Sequence, residues 1–221
     1  AYRLIIDCML NVPLLYWAAE VTGNKKYFEI AQNHANTACG TVIREDSSTF
    51  HTYYFDPETG APLHGKTHQG YSDDSAWARG QAWAVYGYTV CYRYTHDKKY
   101  LDQAVKTLNL MIRHKNMPSD LVPYWDYNAP NIPNEPRDVS AAACIASALY
   151  EMDGYLPDHG YSNLADRILI SLSSPDYLAT IGKNSGFLLM HSVGSIPHNN
   201  EIDVPLNYAD YYFLEALYRR K

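Results

Sequence analysis

The 221-residue chain has no excess of positive charge, no long apolar run and only 5 phenylalanines. Its 18 Lys and Arg stand against 24 Asp and Glu, a formal charge of −6, which argues against nucleic acid or an anionic membrane as partner. No run of about 18 apolar residues is present, so no membrane span is expected. Cys8, Cys39, Cys91 and Cys144 lie far apart with neither C-x-x-C nor zinc-site spacing, which predicts free, mostly buried thiols. HExxH, GxSxG, P-loop and dinucleotide fingerprints are missing, which removes the usual support for metal hydrolysis and nucleotide chemistry. The opening AYRLIID has no initiator Met, basic n-region or cleavage site. A mature or truncated product is therefore expected, its compartment, cytoplasmic or periplasmic, left open.

What the chain has in abundance is aromatic surface with a polar handle: 21 Tyr and 4 Trp. Such side chains suit sugar binding, although tyrosines also pack at helix interfaces with the hydroxyl at the rim. With 47% apolar and 19% charged residues, the composition is that of a soluble globular protein.

Internal repetition organises the chain. TGNKKYFEIAQNHA from Thr22 recurs as THDKKYLDQAVKTL from Thr95, and GYSNLADRIL is a weaker third copy with Tyr161 and Ala165 in register. Each copy follows an apolar, helix-like segment, so the unit is a helical hairpin: an inner helix apolar almost all round, a tight polar turn, and an outer helix with one polar face. The spacing predicts inner helices near 7–22, 74–95, 138–153 and 207–219, and outer ones near 25–43, 98–116 and 161–173. Strand signals are scarce, and residues 51–64 read as a short hairpin or an ordered loop. Hairpins of this kind stack into an open solenoid or close into an α/α toroid. The long polar connections at 44–76, 117–137 and 183–206 all precede inner helices, gather at one end, and favour the toroid with its functional loops there.

Two aspartates, Asp7 and Asp138, open inner helices at that end. A carboxylate there is ordinarily a cap. Asp7 stands between LII and CML, where poor solvation favours the neutral acid that general-acid chemistry needs. The stretch HQGYSDDSAWARGQAW, 68–83, mixes polar groups with flat aromatic faces, as a cavity wall does and a core does not. Ser72 or Asp73 suits a helix cap. Arg79 and Trp83 share one helix side with Trp77 in the preceding turn, a receptor for a carboxylate-bearing ring, though a buried arginine also bridges helices. His51 and His68 flank the 51–64 segment and could orient a hydroxyl or water.

These segments, with IIDCMLNVPLLYWAAEVTG upstream and DVPLNYADYYFLEAL at the close, resemble the unsaturated glucuronyl hydrolases of glycoside hydrolase family 88. The related rhamnogalacturonyl hydrolases typically read W-A-R-G-N-G-W, where this chain has Gln81 and Ala82. The resemblance implies an all-α (α/α)6 barrel that removes 4-deoxy-hex-4-enuronic acid from lyase-generated oligosaccharides, with no cofactor or metal. It carries the general acid/base onto Asp7 and substrate contacts onto His51, Gln69, Trp77, Arg79 and Trp83, with His68 a weaker transfer. The segment 191–203 matches the region contacting the sugar beyond the cleaved bond. Ser192 and Ser195 stand there, but Pro197 occupies the place where some relatives of sulfate preference carry lysine. The family barrel has six hairpins and a second aspartate upstream of the acid, so 1–221 is expected to be one catalytic domain lacking the N-terminal hairpins. A rhamnogalacturonyl hydrolase of the same fold and a noncatalytic carbohydrate-binding toroid are the alternatives.

Overall fold

A computed structural model describes residues 2–220. Among the described residues seven α-helices alternate between two layers: α1 (Cys8–Thr22), α3 (Ala78–Thr95), α5 (Val139–Tyr155) and α7 (Asn207–Arg219) inside, α2 (Lys25–Thr41), α4 (Lys98–Arg113) and α6 (Tyr161–Leu172) outside. The inner helices pack in the order α1, α3, α5, α7, each of the first three also touching the outer helix that follows it.

The repeated turn explains the regularity. At its end α1 passes through Gly23 in the left-handed region (φ 69°), Thr22 Oγ1 accepts from the Asn24 N–H, and the Asn24 side chain caps α2 by accepting from Lys26 N. The second copy repeats every contact: His96 is left-handed (φ 52°), Thr95 Oγ1 accepts from Asp97 N, and Asp97 caps α4 by accepting from Lys99 N. Thr, then Asn or Asp two residues on, is thus a polar clasp that ends one helix and starts the next. Close approach follows from small residues: a Cβ at Gly87 of α3 would stand 2.4 Å from Met9 Cβ of α1.

Three expectations need correction. First, the chain is not purely helical. A three-stranded antiparallel sheet, in the order β1 (Tyr2–Ile5), β2 (Thr52–Phe55), β3 (Pro62–Lys66), stands before α1, and β4 (Ser192–Ser195) pairs with β5 (Asn200–Val204). The hairpin read at 51–64 is present as β2 and β3, whereas β1, whose partners lie about fifty positions away, and the short β4–β5 pair carry no local periodicity. Second, α3 starts at Ala78 rather than 74, and neither Ser72 nor Asp73 caps it. The intervening residues belong to the loop of 117–137: buried Asp126 accepts from Tyr71 N and Ser75 Oγ, Ala76 N donates to Asn128 Oδ1, and Ala78 N donates to Trp125 O. Asp73 Oδ1 accepts instead from Thr67 N. Third, α3 and α5 are buried nearly all round, whereas α1 buries only Met9, Val12 and Tyr16 and leaves Leu14 66% and Trp17 52% exposed. Helix α7 likewise exposes Tyr211, Leu214 and Tyr218. They stand at the two ends of the inner row, each with an inner neighbour on one side only among the described residues.

All four thiols are free, Cys91 and Cys144 buried and the other two part-buried. No described helix is long and apolar enough to cross a membrane.

Candidate active site

The three long connections converge as the sequence predicts. The first touches the second through Asp126, and the third through Gln69, whose Nε2 donates to Gly194 O of β4. Beside Gln69, at the starts of α1, α3 and α7, opens a cleft of about 370 Å³ lined by Asp7, Leu10, Asn11, Gln69, Arg79, Trp83, Tyr208 and Tyr212.

Asp7 precedes α1 but caps nothing: its side chain makes no cap bond, in contrast to Asp138, which accepts from Ser140 N at the start of α5. Asp7 Oδ2 is buried without any hydrogen-bond partner. Burial raises its carboxyl above the usual range, with nearby Arg79, Asp7's own backbone N–H and Trp83 opposing more weakly. The indole nitrogens of Trp77 and Trp83 are also buried and unpartnered. Buried polar atoms ordinarily find partners, so this group of orphans marks a place built for a polar ligand.

His51 stands beside the acid, its Nε2 4.0 Å from Asp7 Oδ2 and its ring 4.6 Å from that of Trp77. Its Nδ1 accepts the backbone N–H groups of His68 and Gln69 at 3.0 and 3.1 Å. The imidazole therefore carries its proton on Nε2, the nitrogen facing Asp7. Burial, then the positive groups His68, Arg79, Arg3 and His198, push its pKa down to about 3. His68 is set back at the rim, where its Nε2 lies 3.0 Å from both Arg3 Nη1 and Tyr54 Oη.

Arg79 stands at the cleft and also ties two helices together. Its Cζ lies 4.5 Å over the Trp77 ring and 5.5 Å from that of Tyr208, at the cleft wall. It also bridges helices α3 and α5, with Nη1 3.2 Å from Asp138 Oδ2. Nη1 donates further to Val193 O, and Nη2 donates to Gly194 O at 2.7 Å. Ser192 and Ser195 flank these two carbonyls but do not line the cleft. Ser192 Oγ is buried without a partner, and Ser195 Oγ lies 2.7 Å from His198 Nδ1. Of the expected site residues, Asp7, Gln69, Arg79 and Trp83 share the cleft, His51 and Trp77 form its second layer, and His68, Ser192 and Ser195 stand behind it. Sequence reasoning missed Asn11, one turn after Asp7, and Tyr208 and Tyr212, one turn apart on α7. The spacing of four on predicted inner helices was the available signal.

Residues 2–212 match the model of Glycosyl Hydrolase Family 88. Among curated proteins the chain is 47% identical over 220 residues to an unsaturated glucuronyl hydrolase of Formosa agariphila, covering 100% of this chain and 55% of that protein. A solved structure of an unsaturated glucuronyl hydrolase specific for heparin superposes with a TM-score of 0.97 at 44% identity, over 99% of this chain and 59% of that one. A point mutant of the Streptococcus agalactiae hydrolase, solved in complex with dGlcA-GalNAc6S, gives a TM-score of 0.86 at 41% identity over 98% of this chain and 58% of that one. The chain thus spans a little over half the length of these relatives, which are α/α toroids, and its alternating inner and outer helices are an arc of that ring. Since both the family model and relatives well above 30% identity run through almost the whole sequence, the protein belongs to glycosyl hydrolase family 88.

Proposed function

We propose that the protein removes 4-deoxy-hex-4-enuronic acid from the non-reducing end of oligosaccharides released by polysaccharide lyases. The observation that carries this reading is Asp7, a carboxyl whose pKa burial raises, with an unpartnered oxygen at a cleft that also holds an arginine and aromatic faces. Membership of a family whose members include unsaturated glucuronyl hydrolases supports it.

The chemistry is hydration of a vinyl ether. Protonated Asp7 donates to C4 of the C4=C5 bond, and positive charge develops at C5 and the ring oxygen. Water adds at C5 while the Asp7 carboxylate takes its proton. The C5 hemiketal opens to a ketone, and the hemiacetal left at C1 expels the second sugar. One residue serves as acid and then base, which its raised pKa permits. The non-titrating Nε2–H of His51 bonds a hydroxyl or water beside Asp7, and Arg79 receives the uronate carboxylate while Trp83 and Tyr208 flank the ring.

An ordinary glycosidase attacks the anomeric carbon instead. Turnover of an unsaturated glucuronyl disaccharide in heavy-oxygen water should place the label at C5, with saturated glucuronides left intact. Label on the anomeric carbon would overturn the reading.

A further inference from the structure

Asp138 is wholly buried and has no part in the chemistry proposed above. Its Oδ1 accepts from Ser140 N and from Ser140 Oγ at 2.5 Å, an ordinary cap for α5. Its Oδ2 is turned the other way, onto Arg79 Nη1 at 3.2 Å. Capping α5 by itself needs no second oxygen on a guanidinium.

A donor account shows what this second contact does. Arg79 has five N–H donors in one plane. Three are committed: two on Nη1, to Asp138 Oδ2 and Val193 O, and one on Nη2, to Gly194 O. The Nε–H and one Nη2–H remain, and the guanidinium lies against Trp77 at the cleft. Rotation of the plane is blocked on the Nη1 side by Asp138 and a backbone carbonyl, and across its face by the Trp77 ring. The two carbonyls are fixed in turn: Val139 N of α5 donates to His191 O just before β4, and Gln69 Nε2 shares Gly194 O with Arg79. Asp138 therefore stands where α3, the start of α5 and β4 meet, and it is the one carboxylate bonded to Arg79 among the described residues.

We propose that Asp138 is a positioning residue for anion recognition: by holding Nη1 it keeps the two uncommitted N–H groups of Arg79 turned into the cleft, ready for a planar carboxylate. This rests on the functional reading above, which gives Arg79 the uronate carboxylate as ligand. A bidentate carboxylate needs two N–H groups in one plane and one direction, so a guanidinium free to rotate loses the pair even though its charge is unchanged.

The test compares the affinity of an unsaturated glucuronyl disaccharide with that of its uronate methyl ester, by calorimetry, in the wild type, Asp138→Asn and Ser140→Ala. Asparagine is as good an N-cap as aspartate, so Asp138→Asn retains α5 and loses the carboxylate on Arg79. The wild type should bind the acid at least tenfold tighter than the ester, and Asp138→Asn should reduce that preference to threefold or less. Ser140→Ala removes the hydroxyl's bond to Asp138 Oδ1 but leaves the capping N–H and the Oδ2 contact with Arg79, and should lower thermal stability while keeping the full preference, which separates positioning from a merely structural role. An Asp138→Asn protein that folds and keeps the wild-type preference would overturn the proposal while leaving the functional reading intact. A wild type that binds acid and ester equally would also overturn it, because Arg79 would then not be the carboxylate receptor. Binding of neither ligand by the wild type would bring down the functional reading and this inference with it.

Discussion

His51 presents Nε2 to Asp7 Oδ2 across 4.0 Å while two backbone N–H groups occupy its Nδ1. The distance is too long for a direct hydrogen bond, so the pair holds a gap that a substrate hydroxyl or a water beside both atoms can fill. Because both nitrogens have fixed roles only in the neutral ring, protonation of His51 breaks contacts with the 68–69 backbone. Its folded pKa, about 3, lies below the ordinary 6.5, so the unfolded chain binds the extra proton first. Stability from this site is complete above about pH 6.5 and is lost as pH falls toward 3. Nitrogen NMR should show a neutral ring protonated on Nε2 down to about pH 4.5; a midpoint near 6.5 would contradict the geometry.

Asp7 works in the opposite sense. Burial raises its pKa, so the acid form needed for proton delivery is held below that value and disappears as pH rises through it. The rate constant kcat should fall on the alkaline side with one proton lost. Asp7→Asn should reduce turnover by about 10³-fold, the scale of general acid catalysis, while calorimetry still detects substrate. A substitution that removed binding and turnover together would assign Asp7 to recognition.

Arg79→Lys has two expected effects, because the guanidinium faces both ligand and protein. Substrate affinity should drop by about 1–3 kcal/mol as a point charge replaces a planar fork. Thermal stability should fall as well, since an ammonium cannot span Asp138 Oδ2 and the carbonyls of Val193 and Gly194 together while stacking on Trp77. A variant with weakened binding and unchanged unfolding temperature would show that the hairpin does not depend on Arg79.

The clasp between α3 and α4 makes a prediction about stability alone. His96 adopts φ 52°, a conformation glycine takes freely and the matching Gly23 takes in the first repeat. His96→Gly should stabilise the protein by about 0.5–1 kcal/mol in urea unfolding. A loss of stability would mean that the edge-on contact of the His96 ring with Tyr92, 5.9 Å between centroids, outweighs the strain.

The helices were legible because their signals are local. Apolar periodicity and the clasp motif place α2, α4, α6 and α7 within a few residues of Lys25–Thr41, Lys98–Arg113, Tyr161–Leu172 and Asn207–Arg219. Where a distant residue intervenes, local reading fails: Asp126, about fifty positions away, claims the 71–75 segment and moves the start of α3. Of the three-stranded sheet, the β2–β3 hairpin was legible in the 51–64 segment, but the addition of β1 was not, because Ile5 pairs with the distant Thr52. In the site, Asp7 stood out as a carboxyl among apolar neighbours, and Arg79 with Trp83 as charge beside rings. Tyr208 and Tyr212 did not, because 21 tyrosines bury two informative ones and only the packing of α7 turns them toward the cleft. Asp7 and Asp138 occupy equivalent places along the chain, yet one caps a helix and the other caps nothing. That difference lies in their side-chain partners.

Arg79 and Gln69 take hold of β4 entirely through main-chain oxygens, those of Val193 and Gly194. Every residue presents a backbone carbonyl, so the anchorage depends on the path of the strand rather than on the side chains of 195–203; Gly194 alone is tied to its residue, because a Cβ there would meet Glu201. Along 195–203 the sequence can therefore drift, lengthen its turn or exchange charges without releasing its hold on the cleft. The fold thereby separates the side chains that line the cleft, among them Asp7, Arg79 and Trp83, from a hairpin that supports them through its backbone.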